Sequence, residues 1–158
     1  MNAADPAPVA IFLTIPGRAV EAAALYTAAL PGARETGRMA PPGRERPLTI
    51  AFEWRGQAFM LLDDGPEAAF TDSVSIAVTT GDQAETDALW NALTADGGAP
   101  IACGWLKDRF GLRWQVTPRR LVELMCDPDP ARAGRTMAAM GQMVKIDIAA
   151  LEAAAAGE

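Results

Sequence analysis

The densest chemistry in the chain lies in CGWLKDRFGLRWQVTP, Cys103 to Pro118, which holds Cys103, Lys107, Asp108, Gln115 and two of the four tryptophans, Trp105 and Trp114. Cys103 could be a pocket nucleophile. The chain contains no histidine, so its thiolate would depend on Lys107 or an arginine for stabilisation. A packed, inert thiol behaving as a small hydrophobe is the simpler reading. Lys107 and Asp108 read as a solvated pair at the mouth of a turn, or as a cationic anchor for an acidic ligand. Trp105, Trp114 and Trp54 could stack on a planar molecule, although aromatic residues on alternating strands more often fill a core. Gln115 could orient a ligand carbonyl through its amide, or be satisfied by neighbouring backbone. Asp63 and Asp64 precede Gly65-Pro66, a turn composition that makes paired acid–base catalysis the minor reading.

Composition narrows the partners. The chain has 158 residues, half of them hydrophobic, and a formal charge of −6. That length supports one domain with a substantial core. The charge provides no basic field to gather phosphates, which disfavours nucleic acid and anionic membranes and leaves a small molecule or a protein as partner. The amino terminus MNAADPAPVA lacks a basic start and an apolar run, and no stretch approaches the length of a membrane span. Two cysteines, Cys103 and Cys126, are then expected as reduced thiols in the cytoplasm. Without histidine, a metal site would have to be built from carboxylates, amides or thiols.

The elements that would position these groups alternate along the chain. Val9 to Ile15 reads as a strand stopped by Pro16-Gly17, and Ala19 to Leu30 as a helix ended by Pro31-Gly32. Gly37 to Pro47 combines proline, glycine and charge without periodicity, which predicts a mobile surface loop or a lid. Leu48, Ile50, Phe52 and Trp54 alternate with smaller or polar residues, Arg55-Gly56 turns, and Gln57 to Leu62 returns, giving a hairpin. A strand over residues 73–78 follows. Asp82 and Glu85 then form a capping box for a helix running to about Ala95, closed by Gly97-Gly98. Two short strands, about Ile101 to Leu106 and Leu112 to Thr117, flank the turn Asp108 to Gly111.

The second half repeats the first. A shift of 64 lays Tyr26 on Trp90, Glu21 on Glu85, Ala24 on Ala88, Leu25 on Leu89 and Ala28 on Ala92. For the hairpins a shift of 55 lays Gly56 on Gly111, Phe59 on Trp114 and Leu61 on Val116. A βαβββ module leaves one sheet face uncovered unless it packs on a second copy. The fold expected is therefore α+β, with two tandem βαβββ modules forming a curved mixed sheet around a cleft and the helices outside. Module one covers about 9–64 and module two about 72–118, with a helical tail over about 119–155.

FEWRGQAFMLLDDGP, SVSIAV, DALWNALTADGG, CGWLKDRFGLRWQVTP and DPDPARAGRTMAAMGQMVKIDIAALEAA, in this order, resemble the PhnB-like branch of the vicinal oxygen chelate superfamily, which includes glyoxalases, bleomycin-resistance proteins and extradiol dioxygenases. Metal-dependent members of that superfamily carry histidine, glutamine or glutamate ligands on the first strand and the last hairpin strand of each module. The resemblance places those positions near Ala10 or Ile11, at about Met60, near Val74 or Ser75, and at Gln115. Of these, Gln115 alone resembles a ligand, and one neutral amide cannot hold a divalent cation against water. No catalytic metal and no organic cofactor is expected. Relatives often carry the name 3-demethylubiquinone 3-methyltransferase. No glycine-rich strand-to-helix turn for an adenosyl cofactor accompanies it; the Gly-Asp turn at Gly81-Asp82 lacks those surroundings.

In the tail, Asp129 and Pro130 read as a helix start, and Met137, Met140 and Met143 fall at helical spacing on one face. Asp147 caps a further helix to about Ala155. The methionine stripe could lie on the chain's own sheet; the resemblance, whose members commonly pair, implies a homodimer. The functional expectation is a metal-free cleft binding a small hydrophobic or planar molecule, with Trp54, Met60, Cys103, Trp105, Lys107, Trp114 and Gln115 as candidate lining residues. An enzyme using Cys103, Lys107 or Asp63 is the alternative, and a structural dimer with a vestigial pocket the third possibility.

Overall fold

A computed structural model describes residues 9–66 and 69–158; the reading of the first eight residues, as lacking an export signal, lies outside them. The chain folds as two compact units, Met1–Ala69 and Phe70–Glu158. Each holds one four-stranded mixed sheet with a helix laid on it.

In the first unit, β1 (Ala10–Thr14) is followed by α1 (Ala19–Ala29), then β2 (Arg34–Met39), β3 (Thr49–Trp54) and β4 (Gln57–Leu62), in the sheet order β1-β4-β3-β2. β1 runs parallel to β4 and the other pairs are antiparallel. Strict alternation along β3 buries Ile50, Phe52 and Trp54, and along β4 Phe59 and Leu61. α1 covers that face with Ala19, Ala22, Ala23 and Tyr26. Phe52 stacks on Phe59 with centroids 4.6 Å apart, and Tyr26 meets Phe52 at 5.9 Å. The small alanines let the helix approach closely enough for this aromatic layer to fill the space. Arg55 and Gly56 both have positive φ, 49° and 80°, the backbone of a two-residue turn whose twist matches its strands.

The second unit repeats the order: β5 (Ile76–Thr80), α2 (Gln83–Thr94), β6 (Ala99–Pro100), β7 (Trp105–Lys107) and β8 (Arg113–Pro118), arranged β5-β8-β7-β6. α2 begins 64 residues after α1, and Phe59 and Leu61 of β4 have their buried counterparts in Trp114 and Val116 of β8, 55 residues on. Asp82 accepts from the Glu85 amide at 2.8 Å, as the capping box predicts. The Glu85 carboxylate accepts in return from the Gly81 amide at 2.6 Å, one residue outside the expected partner.

Three segments depart from the sequence reading. The start of the proline-rich loop, Gly37 to Met39, is the end of a strand: Arg34–Met39 pairs with β3 through an irregularity between Glu35 and Gly37. Its polar sequence carries no alternation because all six residues are exposed on an edge. The rest of that loop is tied down, Arg44 donating to Asp64 at 3.0 Å and Arg46 to the Gly17 carbonyl at 2.6 Å. β5 begins at Ile76 rather than Ser73. The apolar run from Ile101 is broken by a turn in which Cys103 and Gly104 take φ of 54° and 82°.

The tail forms α3 (Arg119–Met125), α4 (Pro130–Met140) and α5 (Ile148–Ala156). Asp129 and Asp147 cap the last two, accepting from Ala131 and Ala150 amides at 2.9 and 3.0 Å. The expected methionine stripe does not form one face, because α4 ends at Met140 and Met143 lies beyond it. Met140 and Met143 instead join Met125 and Ala139 around Leu121, Leu124, Ile146, Leu151 and Ala155, a core belonging to the tail itself. Met137 stays 55% exposed.

Candidate functional site

The alternation that buries one face of each sheet under its helix turns the other face outward, and strand register fixes which residues meet there. On the first sheet that face carries Phe12 opposite Met60, Ala51 on the other side of Met60, and Glu53 opposite Ala58. On the second it carries Trp105 opposite Gln115, Lys107 opposite Arg113, and Ala77 beside Gln115. The Gln115 amide donates to the Ser75 hydroxyl at 2.7 Å, which holds its side chain across the strand gap. Arg113 donates through Nε to Asp72 at 2.8 Å.

The expected lining residues therefore divide between faces. Met60, Trp105, Lys107 and Gln115 stand on open sheet faces, with the last three grouped on one sheet. Trp54 and Trp114 lie on the covered faces, 7% and 1% exposed. The Trp54 indole donates to the Pro31 carbonyl at 3.1 Å, and the Trp114 indole to Asp108 Oδ2 at 2.8 Å. Cys103 belongs to the turn before β7, where its amide donates to the Met143 carbonyl and the Gly104 amide to the Val144 carbonyl, at 2.8 and 2.9 Å.

Asp108 is not half of an exposed pair with Lys107. It is 1% exposed, and its Oδ1 accepts from the Phe110 and Leu112 amides at 2.9 and 3.1 Å while Oδ2 takes the Trp114 indole. A buried carboxylate filled with donors organises the turn between β7 and β8. Asp63 is also committed: 4% exposed, it accepts from the Ala19 amide at the start of α1 and pairs with Arg46, both at 3.2 Å. Alternation from Gln115 would have found Arg113 as its neighbour on the same face. The partner Ser75 depends on parallel pairing of strands 40 residues apart, for which the sequence carries no local signal.

The side chains at the ligand positions of metal-dependent relatives do not fit a divalent ion. Gln115 offers one neutral amide oxygen, Met60 faces Phe12, and among the described residues no three Cys, Asp or Glu side chains gather in a way that could hold one. The fold differs, too, from the doubly wound one expected of an adenosyl-cofactor methyltransferase. The sheets are mixed rather than parallel and doubly wound, and the Gly81 and Glu85 amides at the start of α2 are taken by the Glu85 and Asp82 carboxylates.

Two βαβββ modules, each a mixed sheet with one covered and one open face, make the fold that glyoxalase/bleomycin resistance proteins also have. Within it, the chain belongs to the 3-demethylubiquinone-9 3-methyltransferase (PhnB-like) family, whose profile matches residues 7–117. It is similar to a PhnB protein of Bacillus cereus provisionally named 3-demethylubiquinone-9 3-methyltransferase, with 25% identity over 71% of this chain and 99% of the other at a TM-score of 0.64. Protein PA1353 of Pseudomonas aeruginosa shares the fold at a TM-score of 0.60 and 21% identity, over 72% of this chain and 98% of its own. A glyoxalase/bleomycin resistance protein of Albidiferax ferrireducens T118 shares it at 0.50 and 15%, over 69% and 97%. None of the curated proteins matches the chain.

Proposed function

We propose that this PhnB-like protein binds a small hydrophobic or planar molecule on the open face of its second sheet, without a metal ion and without converting the ligand. The observation that carries this is the pairing of Trp105 with Gln115 across β7 and β8, the amide held by Ser75. A partly buried indole offers an apolar plate at low entropic cost, and a restrained amide next to it offers directional polarity. The tightly occupied carboxylates Asp63 and Asp108 are unsuited to proton transfer, which favours binding over turnover. Both cysteines are free thiols, which supports a reducing cytoplasmic setting. Exposed Val122, Met137 and Val144 on the tail support a homodimer; light scattering at micromolar concentration checks it, and a monomer would refute it.

Native mass spectrometry of the purified protein tests the binding reading. A co-purifying small molecule that is lost on Trp105→Ala, with the circular dichroism spectrum unchanged, is the expected result. Retention of the same molecule by that variant would remove the second-sheet face from the proposal.

A further inference from the structure

Resting on that binding reading, we infer that the ligand taken by the second sheet is an anion, a planar molecule bearing a carboxylate, and that Lys107 and Arg113 select it. The two cations stand directly opposite each other on β7 and β8, with Trp105 and Gln115 the next pair along the same face. Residues so paired have Cβ atoms about 5 Å apart, and like charges at that spacing repel. Nothing in the fold requires this pair. At the matching places of the first sheet stand Glu53 and Ala58, with Ala51 and Met60 as the next pair. Only two lysines occur in a chain of net charge −6, and one of them is Lys107.

One carboxylate of the chain already meets this pair of cations. The carboxylate of Asp72, on the loop leading to β5, receives the Arg113 guanidinium through both Nε and Nη2 on a single oxygen, Oδ1. Arg113 is mostly covered, its side chain 19% exposed, whereas Asp72 is 78% exposed. A carboxylate that reaches in from solvent thus neutralises one of the two cations. Lys107 is exposed and has no carboxylate partner among the described residues. A planar acid could lay its ring on Trp105, set its carboxylate between Lys107 and Arg113 in place of Asp72, and take a hydrogen bond from the Gln115 amide. In this arrangement Asp72 is an internal competitor: it holds the arginine in position while the site is empty and yields to a stronger anion.

Titration of the full chain with 2-naphthoate and its neutral isostere 2-naphthamide, followed by tryptophan fluorescence, tests the assignment. Naphthoate is expected to bind about tenfold more tightly than the amide, the scale of one charge-assisted contact. That advantage should vanish in Lys107→Met and Arg113→Gln, shrink with added salt, and grow in Asp72→Asn, where the internal carboxylate is removed. A merely structural role for Arg113 would not make Asp72→Asn bind the acid better. Equal binding of the two probes overturns the anion assignment and leaves the binding reading standing. Binding of neither, in a protein whose circular dichroism is native, overturns both.

Discussion

At the residue scale, one carboxylate organises the segment with the densest chemistry. Asp108 receives two backbone amides and an indole within a buried turn, so truncation leaves three donors without an acceptor. Asp108→Ala is expected to lower stability by about 2–4 kcal/mol in urea denaturation, and the Trp114 emission to shift with the loss of its partner. Gly104 is a second sensitive point. A Cβ there would lie 2.7 Å from the Val116 carbonyl oxygen, at a φ of 82°. Gly104→Ala is expected to cost about 2–4 kcal/mol, combining backbone strain with a clash that has no room to relax. Gly56→Ala, at a similar φ but facing open space, should cost only about 1–2 kcal/mol. Comparison of the two melting temperatures separates conformation from packing. The candidate site was partly legible at this scale. Trp105, Lys107 and Gln115 stand out by type in CGWLKDRFGLRWQV, but the same types also mark Trp114 and Asp108, which the fold consumes internally.

At the element scale, the tail is attached to the second module by a small set of polar ties. The Gln83 side chain donates to the Ile146 carbonyl at 3.2 Å and accepts from the Ile148 amide at 2.9 Å, and Lys145 pairs with Asp87 at 2.5 Å. The match to the family profile ends at residue 117, so the tail, read from the sequence as part of the family resemblance, lies beyond it, and these contacts fasten it next to the turn that carries Cys103. Gln83→Ala is expected to destabilise by about 1–2 kcal/mol and to speed hydrogen exchange at the Ile148 amide, whose acceptor it removes. The Asp87 carboxyl is held below its ordinary value by hydrogen bonds from Lys145 and then Gln83. A depressed folded value means that the tie contributes above the unfolded-chain value, about 3.9 for aspartate, and is lost as pH falls through the lower folded value. The stability difference between the native chain and Lys145→Met should therefore be constant near neutrality and disappear in strong acid, as read from urea midpoints against pH. Helices were well marked at this scale because capping aspartates and 3.6-residue patterns are local. The edge strand Arg34–Met39 was not, because an exposed strand needs no apolar alternation.

At the scale of the whole molecule, two copies of one module have diverged in what their open faces present. One is apolar around Phe12 and Met60; the other is polar and cationic around Trp105, Lys107, Arg113 and Gln115. Neither set suits a divalent metal. Calorimetric titration with zinc or nickel is expected to show no stoichiometric binding, and S-adenosylmethionine no shift in melting temperature; saturable binding of either would overturn the corresponding expectation. Under the binding reading proposed above, the open face of the second sheet is where a ligand search is best directed.

The module order, both helices, the hairpin turns and the family were determined by the sequence alone, because hydrophobic period, caps and turn residues act over a few neighbours. The face on which each chemical group emerges was decided only by tertiary structure. Strand register pairs Ala77 and Trp105 with Gln115 and Lys107 with Arg113, and a buried carboxylate withdraws Trp114 into the core. A one-residue change of register reverses every side chain on a strand, so the distinction between ligand platform and core rests on long-range pairing that no local pattern encodes.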